Sequence, residues 1–560
     1  MVFPEKPPKR PGYELLIKTI HDRALDLFPD MEIVSKTKKG LHRYKFTQTA
    51  DRMKRLAGAL ESLGVRRLEA VATMDWSTHW HYETYFAVPM MGSVLHTVNI
   101  RLSPSELVHV MGNAGDKILI VNKDFIPLVD MVASSLKKLE HIIVVDTDEA
   151  PSKIAGRPVH HYEDLLKEHG GGYEWPEDLH EDMPAAMCHT GGTTGLPKGA
   201  YHTHRMIVIH AMSMALHLAA FGPTRLTGED VALYIVPMFH VYSWGLPYSA
   251  TMLGIKQVFP GRLDVETLLN LIDEEGVTFT GGVPTILYML LTHPESSKHR
   301  LEGLKFITGG SALPEGLAKL ALARGIRVIG GYGLTETAPA VALGEIPHHL
   351  ARGKSEEELD KMRRSITGYP VPLMKIMVVD DHGNPVPRDG ETMGEVVLRA
   401  PWITPEYYGD PEKTMEAWNH GWFHTGDIAV WNPDGSITIQ DRIKDLIKSG
   451  GEWISSLRLE NAISTYPGVG ETAVIAAEHP KWQERPVALV APKPGWENKL
   501  TPETLIEHLK TNFVEKGLIP KWWLPDKVII VPELPKTSVG KINKRLVREK
   551  YSRILLNKDT

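Results

Sequence analysis

The run His189-Thr190-Gly191-Gly192-Thr193-Thr194-Gly195-Leu196-Pro197-Lys198-Gly199 decides how this chain reads. Thr190 to Gly195 packs three glycines and three threonines into six residues, and Lys198 follows. Glycine lets a backbone turn tightly and bring its N–H groups against an anion. Threonine hydroxyls add short donors, and Lys198 adds a mobile positive charge. The segment predicts a phosphate-holding loop. It is not a Walker A loop, because no Gly-Lys-Ser/Thr triplet closes it. Taken alone it also suits a flexible surface turn, so the rest of the chain has to decide.

The chain has 560 residues, 42% hydrophobic and 24% charged, with a net charge of −6. That is enough for several domains with ample core and is ordinary for a globular protein. The pI of 6.5 and the lack of a basic run with interleaved aromatics argue against a nucleic-acid surface. The single cysteine, Cys188, excludes a disulfide framework and a cysteine metal cluster, and it suits a reducing, cytoplasmic setting. Met1 to Tyr13 is rich in Pro, Lys and Glu and shows no signal peptide. Met206 to Gly222 is uncharged but shorter than the ~20 apolar residues of a spanning helix, and it reads as a buried helix behind the loop. No integral membrane segment is expected. The histidine pairs, such as His202 and His204 or His160 and His161, lack metal-ligand spacing.

Helical periods alternate with short β-branched runs. Met53, Leu56, Leu60 and Leu63 keep helical spacing, and Gly64 supplies a stop. Ala70–Thr73, Ile118–Val121, Ile142–Val145, Leu233–Val236, Thr278–Thr280, Phe306–Thr308 and Val328–Ile329 read as buried strands. The pattern predicts an α/β fold with helices on both faces of largely parallel sheets, whose ligands bind at the carboxyl ends of strands. From about residue 370 to 440, Pro-rich sequence with runs at Lys375–Val379 and Glu395–Leu398 predicts a more antiparallel β subdomain. Beyond Asp441 a small α+β domain is expected, with strands at Thr472–Ala476, Val487–Val490 and Val528–Val531 and a helix from Thr504 to about Lys516.

Four further motifs carry candidate chemistry. Gly330-Gly331-Tyr332-Gly333-Leu334-Thr335-Glu336 follows a predicted strand and offers glycines, an aromatic face, a hydroxyl and a carboxylate. Thr425-Gly426-Asp427 is read as a turn whose Asp accepts from ribose hydroxyls. Asp441 to Glu452, DRIKDLIKSGGE, alternates charges over an apolar pair and suits a solvated helix ending on glycines. Pro535-Lys536-Thr537-Ser538-Val539-Gly540-Lys541-Ile542 places a lysine behind a glycine turn.

In this order, from residue 189 to 541, these motifs resemble the adenylate-forming superfamily, which includes acyl-CoA synthetases, luciferases and peptide-synthetase adenylation domains. Its YGxTE, TGD, DRxKDxIK…GG and PxTxxGK patterns are all present. One departure stands in the loop, where Gly191 replaces a common Ser or Thr hydroxyl. The segment Phe239-His240-Val241-Tyr242-Ser243-Trp244-Gly245 looks most similar to bacterial and archaeal fatty acyl-CoA synthetases, in which a tryptophan gates the fatty-acid tunnel.

The resemblance implies a layered N-terminal domain over 1–440 and a mobile C-terminal domain over 441–560, swinging about Asp441. It implies a ligase that joins a carboxylic acid to ATP as acyl-AMP, releases pyrophosphate, and passes the acyl group to coenzyme A. Thr190, Gly191, Gly192, Thr193, Thr194, Gly195 and Lys198 would hold the β- and γ-phosphates, with Mg2+ at Thr190 and Glu336. Gly309, Gly310, Ser311, Gly331, Tyr332, Gly333, Thr335 and Ile439 would line the nucleotide, and Asp427 and Arg442 the ribose. Lys541 would bridge the carboxylate and the α-phosphate. Lys448, Gly450, Gly451, Glu452 and Trp453 would line the pantetheine channel, while His240, Trp244, Gly282 and Val283 face the acid. Coenzyme A brings its own thiol, so Cys188 is expected to be structural. The expected acid is a medium- or long-chain fatty acid; the alternative is a short, hydroxylated or aromatic one. A homodimer is compatible with the family.

Overall fold

The computed structural model describes residues 13–190, 196–220, 225–311, 313–450, 452–536 and 542–556. Its strands form four sheets of nine, eight, five and five strands. The nine-stranded sheet runs parallel through Glu32–Thr37, Lys256–Phe259, Val231–Leu233, Phe279–Gly282, Lys305–Gly309 and Arg327–Gly333, with antiparallel strands at its edges. The eight-stranded sheet is parallel from Pro184–His189 through Val94–Thr97, Ala70–Met74, Ile118–Asn122 and His141–Val145 to Arg157–His161. Strands covered on both faces need continuous apolar runs, and every residue of Ala70–Met74 and of Ile118–Asn122 is buried. The expected α/β layering is the architecture found.

One helix serves both large sheets. All residues of His79–Met90 are buried, and it touches Glu32–Thr37 of the first sheet as well as Ala70–Met74, Val94–Thr97 and Pro184–His189 of the second. A helix apolar on every side belongs in an interior. Its one carboxylate, Glu83, accepts from Arg52 (2.6 Å), Tyr162 (2.6 Å) and Tyr44 (3.1 Å), so the buried charge is paired.

The third sheet is antiparallel and includes Lys375–Val379, Met393–Arg399, Trp422–Trp431 and Ile437–Arg442. The fourth joins Val469–His479 and Gln483–Pro492 to Lys527–Ile530. Several local expectations are corrected. Thr425-Gly426-Asp427 is no turn but an irregularity inside the long strand Trp422–Trp431, with Gly426 at φ +69°. Asp441 to Glu452 is no helix: it ends the strand Ile437–Arg442 and opens the antiparallel pair Ile447–Ser449 and Glu452–Ile454. Tyr332 lies inside its strand rather than beyond it. The strand expected at Leu233–Val236 ends at Leu233. The helix His204–Ala220 leaves Met212 and Leu216 exposed on one side.

Candidate active site

The phosphate-loop motif sits where the parallel strand Pro184–His189 ends. Gly191 to Gly195 lie outside the described residues, but both ends of the loop are placed. The Thr190 amide donates to the Lys198 carbonyl (2.8 Å), and the Lys198 amide to the Thr190 hydroxyl (3.4 Å). Lys198 Nζ stands 3.8 Å from the centre of the Tyr407 ring. The Tyr407 hydroxyl donates to Glu336 Oε1 at 2.6 Å. One phenol thus carries a cation on its face and a buried carboxylate at its tip. Burial lowers the Lys198 pKa while Glu336 pulls the other way. Glu336 rides on the short turn Thr335–Thr337, whose backbone is held by the Thr404 amide (2.8 Å). Glu336 and Thr190 offer oxygen ligands, the donor set that Mg2+ prefers.

A second group forms around Asp427, which is 4% exposed. Its Oδ2 accepts from the Tyr332 hydroxyl (2.6 Å) and its Oδ1 from Arg442 Nε (3.1 Å). The irregularity at Gly426 and the pairing of Asp427 with Arg442 across the sheet make this geometry local. Burial raises the Tyr332 pKa, helped by Asp427, and Asp427 raises that of Arg442. Gly309 and Gly310 lie on the neighbouring strand end, Gly309 opposite Gly331, with exposed Ser311 following.

A third group surrounds Trp244. Val241, Tyr242, Ser243, Trp244 and Gly245 all have left-handed backbones, with φ of 46°, 55°, 49°, 60° and 69°. For residues other than glycine this costs roughly 1–2 kcal/mol each. Contacts on several sides hold the turn. Ser243 Oγ donates to the Val236 carbonyl (2.9 Å), the Tyr242 hydroxyl pairs with His202 Nδ1 (3.0 Å), and a Cβ at Gly245 would stand 2.6 Å from His210. The turn carries the Trp244 ring over two glycines: an added Cβ would lie 3.3 Å from it at Gly281 and 3.1 Å at Gly309. His240 precedes the turn, its amide bonded to the Pro237 carbonyl (3.0 Å). Val283 caps the helix Pro284–Thr292 directly after Gly282.

The remaining candidates form a separate group in the fourth sheet. Lys448 Nζ lies over the Trp453 ring (5.3 Å), the Lys448 amide donates to Glu484 (2.7 Å), and Gly450, at φ +61°, packs on Trp482. Gly451 and Lys541 lie outside the described residues. Ile439 lines a polar cleft of about 320 Å³ with Gln440, Arg458 and Asn461. Cys188 is buried, and burial pushes its thiol up to about 12, which fits a structural residue. Sequence reading missed Tyr407, which no motif contains, and the left-handed turn, which its residue types disfavour.

The description "AMP-binding enzyme" matches residues 22–408, and "AMP-binding enzyme C-terminal domain" matches residues 458–541. The chain is 45% identical over 542 residues to a long-chain-fatty-acid–CoA ligase of Thermus thermophilus, covering 96% of each. It is 37% identical over 543 residues to a 3-methylmercaptopropionyl-CoA ligase of Ruegeria lacuscaerulensis, covering 96% of this chain and 97% of that one. Its fold matches an anthranilate CoA ligase in complex with anthranoyl-AMP at a TM-score of 0.82 and 23% identity, covering 97% and 98%. With these matches added to the lysine and carboxylate that meet through Tyr407 beside the loop, the chain belongs to the AMP-binding enzyme family and is an AMP-forming acid–CoA ligase that uses ATP, Mg2+ and CoA.

Proposed function

We propose that the acid activated is a medium- or long-chain fatty acid. The observation that carries this reading is Trp244, whose ring stands against the glycine-bearing strand ends at Gly281 and Gly309. Removing that ring from the two glycines frees depth for an apolar chain, and each buried CH₂ contributes about 0.8 kcal/mol. The similarity to a long-chain-fatty-acid ligase supports the same class.

In this reading the carboxylate attacks the α-phosphate of ATP, and pyrophosphate leaves. Two anions must first be brought together, which positioned cations and N–H donors accomplish. Lys198 and the loop from Thr190 hold the β- and γ-phosphates. Glu336 and Thr190 would hold Mg2+, which would neutralise phosphate charge there. Tyr332 and the Gly309-Gly310-Ser311 segment take the adenine, and Asp427 with Arg442 the ribose. Lys541 bridges acid and α-phosphate, and His240, Gly282 and Val283 flank the acid with Trp244. Residues 1–440 and 441–560 act as two domains hinged at Asp441. The contacts of that residue support the hinge: its Oδ2 accepts from the Ser456 amide (2.6 Å), at the start of the helix Ser456–Ser464. Swinging the second domain brings the Lys448–Trp453 hairpin to the site for the CoA step.

A pyrophosphate-release screen over C2 to C18 acids, with hydroxy and aryl acids included, tests the acid class. Activity peaking on medium or long chains supports it. A peak at C2–C4, or on hydroxy or aryl acids, overturns it in favour of the second reading, which the similarity to a 3-methylmercaptopropionyl-CoA ligase favours. Single-turnover assays of Lys541→Ala test the two-domain cycle, with loss of adenylation and retention of thioester formation from supplied acyl-AMP expected. Equal loss in both half-reactions would refute it.

A further inference from the structure

A buried polar chain stands directly behind the phosphate loop. Asp116 and His96 are 3% and 0% exposed. Both Asp116 oxygens lie within hydrogen-bond reach of His96 Nδ1, at 2.9 and 3.0 Å. His96 Nε2 is 3.0 Å from His189 Nδ1, and His189 Nε2 is 3.0 Å from Asn113 Oδ1. Asn113 Nδ2 donates to the Tyr408 carbonyl at 3.3 Å.

The order of protons along this chain follows from its far end. A carbonyl only accepts, so the Tyr408 contact fixes the Asn113 amide with Nδ2 toward Tyr408 and Oδ1 toward His189. His189 must then carry its proton on Nε2, which leaves Nδ1 as an acceptor. His96 must therefore carry a proton on Nε2. Its Nδ1 shares one more proton with Asp116, as imidazolium–carboxylate or as imidazole–carboxylic acid. In either form the buried dyad is neutral overall, which avoids an unpaired charge. Burial holds the His189 ring well below its ordinary pKa, helped by His96 and His109.

The chain grips both ends of the loop. His189 ends the strand just before Thr190. The helix Pro104–Ala114 presents His109 and Asn113 one turn apart, and His109 Nε2 donates to the Pro197 carbonyl (3.0 Å). Gly199 packs directly on the His189–Asn113 bond: an added Cβ would lie 2.9 Å from Asn113 Oδ1 and 3.2 Å from His189 Nε2. The Tyr408 amide donates to the Gly199 carbonyl (2.8 Å), beside the Tyr407 ring that underlies Lys198.

We propose that Asp116, His96, His189 and Asn113 form a continuous hydrogen-bonded relay, directed from His96 Nε2 to the Tyr408 carbonyl, that positions the two ends of the phosphate loop for ATP, with Asp116 as its anchor. These are positioning residues: none is assigned a contact with ATP. The proposal rests on reading 190–198 as the ATP phosphate site.

The test compares KM for ATP and for the acid in Asp116→Leu, Asp116→Asn and Lys198→Ala, together with thermal midpoints. Asp116→Leu removes the anchor, and its ATP KM should rise about tenfold with a much smaller change for the acid. An asparagine at 116 can turn its NH₂ toward His96 Nδ1, so Asp116→Asn should recover most of that loss. Lys198→Ala tests the loop reading separately. If it leaves ATP KM unchanged, that reading falls. If it raises ATP KM while Asp116→Leu does not, the relay falls. The relay also falls if Asp116→Leu raises both KM values alike, or if Asp116→Asn is as damaging as Asp116→Leu. On the ¹⁵N-histidine-labelled enzyme, NMR should show His189 as the neutral Nε2–H tautomer near neutral pH. The Nδ1–H tautomer, or a charged ring, would reverse the deduced order and overturn the proposal.

Discussion

At the phosphate loop, the described backbone is ordinary: a strand ends, the Thr190 amide meets the Lys198 carbonyl, and side chains from a neighbouring helix tie down both ends. At the Trp244 turn, five consecutive residues adopt a backbone that only Gly245 accepts readily, and buried side chains hold it there. The first region needs no unfavourable backbone at its two described ends, which side chains of a neighbouring helix tie in place. The second depends on packing from outside itself. On the proposed reading, grip on a constant group would need little conformational latitude, whereas a turn that had to yield to an apolar chain would gain from being held by contacts that can be exchanged.

Acidification should have the largest effect. Burial holds His202 and His210, which flank the turn, at about 4 and about 3 instead of 6.5. Their folded values lie below the unfolded one, so the unfolded chain binds more protons in between. The stability they contribute is complete above pH 6.5 and is lost as pH falls toward 3. Each unit of depression corresponds to about 1.4 kcal/mol, so the thermal midpoint should fall steeply from pH 6.5 to 4. A flat profile would show that these rings are not held neutral.

Next in size is Lys198→Ala, expected to cut the rate of pyrophosphate release about 10²–10³-fold with little change in thermal midpoint. A loss under tenfold would remove this cation from the phosphate grip. Gly281→Ala acts on the other region. Its Cβ would lie 3.2 Å from the Ile307 carbonyl and 3.3 Å from Trp244. Overpacking of about 1–3 kcal/mol should appear in the midpoint, and the acid KM should rise while the ATP KM holds. Equal movement of both KM values would break the distinction. The smallest effect is Ser243→Ala, which deletes the hydrogen bond to the Val236 carbonyl and should cost about 1 kcal/mol by thermal or urea unfolding. No change would mean that the turn is held by packing alone.

The parallel strands were legible because strands buried on both faces leave unbroken apolar runs, as at Ile118–Val121 and Ile142–Val145. The motifs proposed for the site stand out in the sequence because phosphate and ribose recognition would fix residue types at short spacing. What escaped was set by distant partners. Thr425-Gly426-Asp427 has turn composition, yet the pairing of Asp427 with Arg442 keeps it in a strand. Asp441 to Glu452 has helical charge alternation, but the strands Ile447–Ser449 and Glu452–Ile454 pair as a hairpin, with Gly450 packed on Trp482. Tyr407 meets Lys198 and Glu336, both far off in sequence, so no local motif announces it. The left-handed turn contradicts every local preference of Val241, Tyr242 and Trp244, so only tertiary contacts explain it.

The helix His79–Met90, buried from end to end between the two large sheets, acts as a common datum for the enzyme. The strand that leads into the phosphate-loop motif belongs to one sheet and the strands of Gly281 and Gly309 to the other, and both sheets pack on this single rod. On the proposed reading, changes at Trp244 and Gly281 would alter acid choice without touching this rod. A change in the rod itself would shift both halves together and leave neither specificity independently adjustable.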